Sequence, residues 1–135
     1  MPNNTFKFVL DTEDKQHSLK LLDVDYLGNG IYTSEIQVSS NGFMCKRIFG
    51  FDNDEYFLAK LNAMLNNNEG EATLMDMSAD SFLRLKYIGN NLIQLTGYLV
   101  EQTEVTHSLE FSFNLELAKI TKFVKAFEKM VRANV

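Results

Sequence analysis

The sequence predicts an α+β fold in which an antiparallel β-sheet or open sandwich of about eight strands carries two amphipathic helices. Three observations predict it. Most of the chain alternates apolar and polar residues with period two, two segments switch to a helical period, and turn-forming glycine and asparagine residues separate the alternating runs. One domain is expected from 135 residues, because the single proline, Pro2, leaves no proline-rich linker to divide them.

Alternation predicts strands at 5–10, 17–26, 31–40 and 43–51. Gly28-Asn29-Gly30 joins the second to the third, and Asn41-Gly42, the strongest hairpin signal in the chain, joins the third to the fourth. Residues 53–66 then place Phe57, Leu58, Leu61, Met64 and Leu65 on one helical stripe. Asp52 or Asp54 can cap its first amides, and Asn66-Asn67-Asn68 with Gly70 ends it. Strands follow at 71–76, 81–88, 92–101 and 105–115, with Gly89-Asn90-Asn91 as a tight turn. Between 105 and 115 the odd positions read Val, His, Leu, Phe, Phe, Leu and the even ones are polar, which gives the strand one buried and one wet face. The second helix, 115–132, aligns Ile120, Phe123, Val124, Phe127, Met130 and Val131, with Asn114 as its expected N-cap. Neither helix can bury its stripe alone, so both are expected to pack on sheet.

The halves resemble each other. Phe49-Gly50-Phe51-Asp52 leads into the first helix and Phe111-Ser112-Phe113-Asn114 into the second, 62 residues later. At that offset Leu58 matches Ile120, Leu61 matches Phe123, and Leu65 matches Phe127. Two similar strand-meander-plus-helix halves would align strand with strand and helix with helix over 31–66 and 93–128.

Composition narrows function by exclusion. Eleven Phe and five Tyr supply a core, which sets aside disordered and low-complexity classes. The lone Cys45 excludes an intramolecular disulfide framework. No apolar run reaches the roughly 18 residues of a membrane span, and the N-terminus has no signal-peptide pattern, so a cytoplasmic location is expected. The Asn3-Asn4-Thr5 sequon then carries no meaning. The net charge is −5, but it divides into −8 over residues 1–115 and +3 over 116–135, where Lys119, Lys122, Lys125, Lys129 and Arg132 lie. An acidic body disfavours nucleic acid and steers basic partners toward itself.

No motif specifies catalysis. GxGxxG, P-loop, GxSxG and HExxH patterns are absent from the sequence, and no cofactor or metal is expected. His17 and His107 lie ninety residues apart without a ligand partner at helical or hairpin spacing. Asp52-Asn53-Asp54 begins like a calcium loop, but Tyr56 and Phe57 stand where that loop needs an oxygen ligand and a glycine. Asp23 and Asp25 share one side of a strand and read as the wet face of a sheet edge. Cys45 and His107 both fall on inward faces and could approach each other if the halves meet across a pseudo-dyad, although no third group orients them. Arg47 interrupts an apolar alternation (Phe43, Cys45, Phe49, Phe51), as a pocket residue or as one that snorkels at a sheet edge.

The segments FGFDNDEYFLAKLNAML, EGEATL, SFLRLKY, LIQLTGYLVE and LEFSFNLELAKITKFVKAF together resemble the small bacterial WapI-like immunity proteins and related bacterial domains of similar length, over residues 31–132. Ile31-Tyr32 stands where members often carry tryptophan. The resemblance implies binding without chemistry, by a cytoplasmic antitoxin that occludes the active site of a cognate toxin, and it brings no catalytic residues with it. The expectation is therefore a non-enzymatic protein-binding domain whose acidic surface comprises Asp52, Asp54, Glu55, Glu69, Glu71, Asp76 and Asp80. The alternative is a small-molecule module or small enzyme with a pocket between sheet and helices that uses Cys45, Arg47 and His107. The chain is expected to be a monomer or a symmetric homodimer joined through an edge strand.

Overall fold

A computed structural model describes residues 5–78, 80–102 and 106–134. Asn3 and Asn4 of the sequon, and Val105 at the start of the last expected strand, lie outside the described residues. The fold is α+β, with two open antiparallel sheets of four strands and two helices. Strands β1 (Phe6–Asp11), β2 (His17–Gly28), β3 (Ile31–Ser40) and β4 (Phe43–Phe51) form the first sheet in chain order. Helix α1 (Asp54–Asn67) follows. Strands β5 (Glu71–Met75), β6 (Phe82–Gly89), β7 (Leu92–Gln102) and β8 (Thr106–Glu116) form the second sheet, also in chain order, and α2 (Leu117–Ala133) closes the chain.

Turn chemistry sets the registers. Asn29-Gly30, Asn41-Gly42 and Asn90-Asn91 all hold positive φ at both central positions, the two-residue geometry whose twist matches that of the flanking strands. Asn68, with φ 52°, ends α1 in the left-handed conformation, and Gly70 follows at φ 99°. β2 is not the edge strand that Asp23 and Asp25 suggest. It runs between β1 and β3, and Asp23 takes φ 51° at a bulge where the register shifts between Leu22 and Asp25.

Each half is a four-strand meander followed by a helix, so β3, β4 and α1 align in order with β7, β8 and α2. The correspondence does not keep a constant 62-residue offset. Tyr32 pairs with Phe51 as Ile93 pairs with Leu115, and Ser34 pairs with Phe49 as Leu95 pairs with Phe113. Phe49 therefore corresponds to Phe113 rather than Phe111, while the buried helix positions Phe57, Leu61 and Met64 correspond to Ile120, Val124 and Phe127. The same feature displaces the expected cap. Asn114 stays in β8, because Leu115 is still buried opposite Ile93, and Glu116 becomes the N-cap of α2 without a side-chain cap bond.

The helices interlock the halves. α1 packs on β5 and β6 of the second sheet, while α2 packs on β1 of the first as well as on β7, β8 and α1. Phe127 sits at the crossing, with its ring centroid 5.7 Å from Phe8, 6.2 Å from Phe51, 5.3 Å from Phe57 and 5.7 Å from Phe123. Each such side chain, fully buried, contributes about 1.5–3 kcal/mol. Lys119 of α2 adds a polar tie by donating to the Asp11 carbonyl at the end of β1. The ammonium of Lys15, and then that of Lys119, hold the Asp11 carboxyl below its usual range.

Where the sheets meet, the chain just after β5 runs along the outer edge of β4. The Met77 N–H donates to the Gly50 carbonyl (2.8 Å), and the Gly50 N–H donates to Asp76 Oδ1 (2.9 Å). His17, bonded to Ser40 at 2.7 Å, stacks on Phe113 of the other sheet at 5.2 Å, so it is a satisfied structural histidine. Among the described residues no helix is long and apolar enough to cross a membrane.

Candidate functional site: an acidic, tyrosine-lined cavity

Three of the seven expected acidic residues come together. Asp52 and Asn53 follow β4, and Asp54 and Glu55 begin α1, because Phe51 is the last inward residue of the strand and the chain must turn there to lay Phe57 and Leu61 on the core. The resulting cavity of about 510 Å³ is lined by Asp52, Asn53, Asp54, Glu55 and Tyr56, by Tyr26 and Tyr32 of the first sheet, by Gly30, and by Val131 and Asn134 at the end of α2. Tyr26 and Tyr32 lie 5.0 Å apart between centroids, and Tyr32 stacks on Phe51 at 5.0 Å. The Gly30 N–H donates to the Tyr26 hydroxyl at 2.9 Å, which fixes that ring. Burial pushes the Tyr32 phenol well above its ordinary pKa, and the charge and hydrogen bond of Asp54 add to the shift. Tyr32 thus remains a neutral O–H donor beside a carboxylate.

Asn53 is the N-cap of α1, yet its side chain makes no capping bond. Its Nδ2 donates instead to the Thr73 carbonyl (3.1 Å), and its Oδ1 is buried with no donor among the described residues. Nor does any described cation pair with Asp52, Asp54 or Glu55. The helix terminus contributes about half a positive charge. Three carboxylates outweigh it, so the cavity presents net negative potential.

The other expected acidic residues are elsewhere. Glu69 and Glu71 lie beyond the far end of α1, about 20 Å along a helix of 14 residues, and Glu71 faces Arg84 at 3.8 Å. Asp80 is exposed in the loop before β6. Asp76 is not surface at all: it is 7% exposed and accepts from the Gly50 N–H and from Ser78 Oγ. Asp54, also 7% exposed, is a wall of the cavity rather than open surface. Charge density along the chain brought these residues to attention, but their burial follows from the strand-to-helix turn and from the contact between sheets.

The alternative pocket does not assemble. Cys45 and Arg47 share the inward face of β4, but His107 is exposed, opposite Glu101, and no hydrogen bond joins it to Cys45 among the described residues. Arg47 reaches the sheet edge, where Nε donates to the Ile48 carbonyl at 3.1 Å. A second cavity of about 540 Å³ includes Cys45, yet neither Arg47 nor His107 nor either helix lines it, and its charged groups are Lys20 and Lys46. Desolvation pushes the Cys45 thiol up, against a smaller opposing pull from Arg47. A raised pKa means less thiolate at pH 8, so iodoacetamide should alkylate Cys45 in the folded chain more slowly than it alkylates a free thiol. Equal or faster reaction would contradict that environment.

Sequence reasoning missed Tyr26, Tyr32, Asn53 and Asn134. The alternation of β3 marks Tyr32 as inward, but nothing local brings the end of α2 to the start of α1. No family model matches the chain, and no curated protein matches it in sequence. In structure the chain is similar to Trypanosoma brucei MRP1/MRP2, known from crystal structures, with a TM-score of 0.58 and 9% sequence identity over 99% of this chain and 87% of that one. At that identity the likeness shows the fold alone: two open four-stranded sheets with two helices form an architecture that this chain shares with a protein of very different sequence.

Proposed function

We propose that the chain is a non-catalytic protein-binding domain, a cytoplasmic immunity protein that neutralises a cognate bacterial toxin by seating a basic side chain of the toxin in the cavity at the start of α1. The observation that carries this reading is the cluster of carboxylates lining that cavity, Asp52, Asp54 and Glu55, with which no described cation pairs. A guanidinium, with five donors in a planar fork, suits a cluster of carboxylates, and the ring of Tyr26 in the same lining suits its flat cation. The resemblance to immunity proteins and the charge of −8 over residues 1–115 favour a basic partner, whose approach such a field accelerates.

The test is capture from the native host with the tagged chain, followed by mass spectrometry. A basic toxin domain should be retained at low ionic strength and released as salt rises, since exposed charge pairs are screened. Asp52→Asn combined with Glu55→Gln should weaken retention by about ten- to a hundredfold, the loss of one or two charge-assisted contacts. Retention that is insensitive to salt and to both substitutions, or no retained toxin, would sink the reading.

A further inference from the structure

We propose that the chain forms a two-fold symmetric dimer by antiparallel pairing of β4 with β4 of a second copy, centred on Lys46. β4 is the outer strand of the first sheet. The other three outer strands are managed in recognisable ways. β1 packs against α2, and its Asp11 carbonyl takes Lys119. β5 packs against α1, and its Thr73 carbonyl takes Asn53. β8 exposes Ser108, Glu110, Ser112 and Asn114, a polar row that discourages pairing. β4 instead exposes Phe43 at 70%, Met44 at 81% and Ile48 at 65%. A long apolar outer strand is a template for another strand.

The backbone of β4 is oriented for that pairing. Both polar groups of Gly50 leave the sheet on the side away from β3, toward Asp76 and Met77. In an antiparallel ladder alternate residues bond to the same side, so Met44, Lys46 and Ile48 also present their N–H and C=O groups outward. The Ile48 carbonyl takes Arg47 Nε, a side chain that a partner strand can displace, and no other described residue bonds to these outward groups. Continuation of the sheet ends at Gly50, where Met77 already occupies the edge.

A second copy of β4 fits this edge through its own sequence. With the two-fold axis at Lys46, Met44 lies opposite the partner's Ile48 and Ile48 opposite the partner's Met44, which puts apolar on apolar at both ends. Lys46 then lies opposite the partner's Lys46, a repulsion offset because Lys46 is 3.5 Å from Glu35 of its own sheet. Shifting the register by two residues sets Met44 or Ile48 against a lysine. The pairing uses the same edge on both copies, so it closes as a dimer and does not propagate.

Sedimentation equilibrium of the full chain tests this, with circular dichroism to verify folding. The wild-type chain should show a concentration-dependent monomer–dimer equilibrium. Ile48→Lys and Met44→Lys, both at exposed positions, should each raise the dimer dissociation constant by about tenfold or more without changing the dichroism. In a Cys45→Ser background, Lys46→Cys should form an intersubunit disulfide under mild oxidation, because residues on the axis approach to about 5.5 Å between Cα atoms. Tyr56→Cys, exposed but away from β4, should not. A chain that stays monomeric at about 100 μM overturns the proposal and leaves the edge to a strand from another protein. Dimers unaffected by both lysine substitutions, or cross-linking no better at 46 than at 56, also overturn it.

Discussion

Phe127→Ala should destabilise the chain by about 3–5 kcal/mol, as large-to-small changes of buried aromatics do. Phe127 is 0% exposed, and its ring meets Phe8 and Phe51 of the first sheet, Phe57 of α1 and Phe123 of its own helix. A cavity at that crossing is walled by rings from four elements, none of which can collapse into it without leaving its own partners. Against a typical total of about 5–15 kcal/mol, the loss should lower the melting temperature by roughly 10–20 °C. Lys125→Ala, on the exposed face of the same helix, should change stability by no more than about 0.5 kcal/mol. Because α1 and α2 each reach across to the opposite sheet, Phe127→Ala should keep a single unfolding transition. Two resolved transitions would show that the halves are independent, contrary to the interlocked packing.

Gly97→Ala should cost about 1–3 kcal/mol, an overpacking effect rather than a conformational one. Gly97 lies opposite Phe111 in the β7–β8 ladder, and a Cβ there would stand 2.2 Å from Phe111 Cζ and 2.4 Å from Cε1. The ring has little room to withdraw, since it is 6% exposed and stacked on Phe113 at 6.1 Å. Phe111→Leu should therefore recover part of the loss. The double variant should be more stable than the sum of the single changes by over about 0.5 kcal/mol, the signature of contacting positions. Equilibrium urea unfolding of the four proteins decides it, and additive losses would contradict the contact.

The strands and helices were legible because each depends on a local rule. Alternation places all eight strands within a few residues of their observed bounds, and the paired positive-φ turns are written as Asn-Gly or Asn-Asn. What escaped local reading was set by distant partners. Asn114 has the chemistry of a cap, but the pairing of Leu115 with Ile93 keeps the strand extended past it. Asp76 looks like an exposed charge until the Gly50 amide, 26 residues away, claims its oxygen. Arg47 breaks an apolar pattern without lining either cavity: its Nε turns back to the Ile48 carbonyl, while its Nη1 is buried with no partner among the described residues. The acidic cavity was half legible: its carboxylates are contiguous in sequence, while Tyr26, Tyr32 and Asn134 arrive from three other places.

The cavity is also where the account is most directly exposed to test. Titration of the isotopically labelled chain with a blocked arginine amide, followed by two-dimensional amide NMR, asks whether the acceptors take a guanidinium without any partner protein. Saturable shifts should appear at Gly30, at Asp52 to Tyr56 and at Asn134, should shrink as salt is added, and should be lost in the variant combining Asp52→Asn with Glu55→Gln. Shifts centred on the Glu69, Glu71 or Asp80 regions, or no saturable shifts at all, would contradict the assignment of this cavity as the binding site.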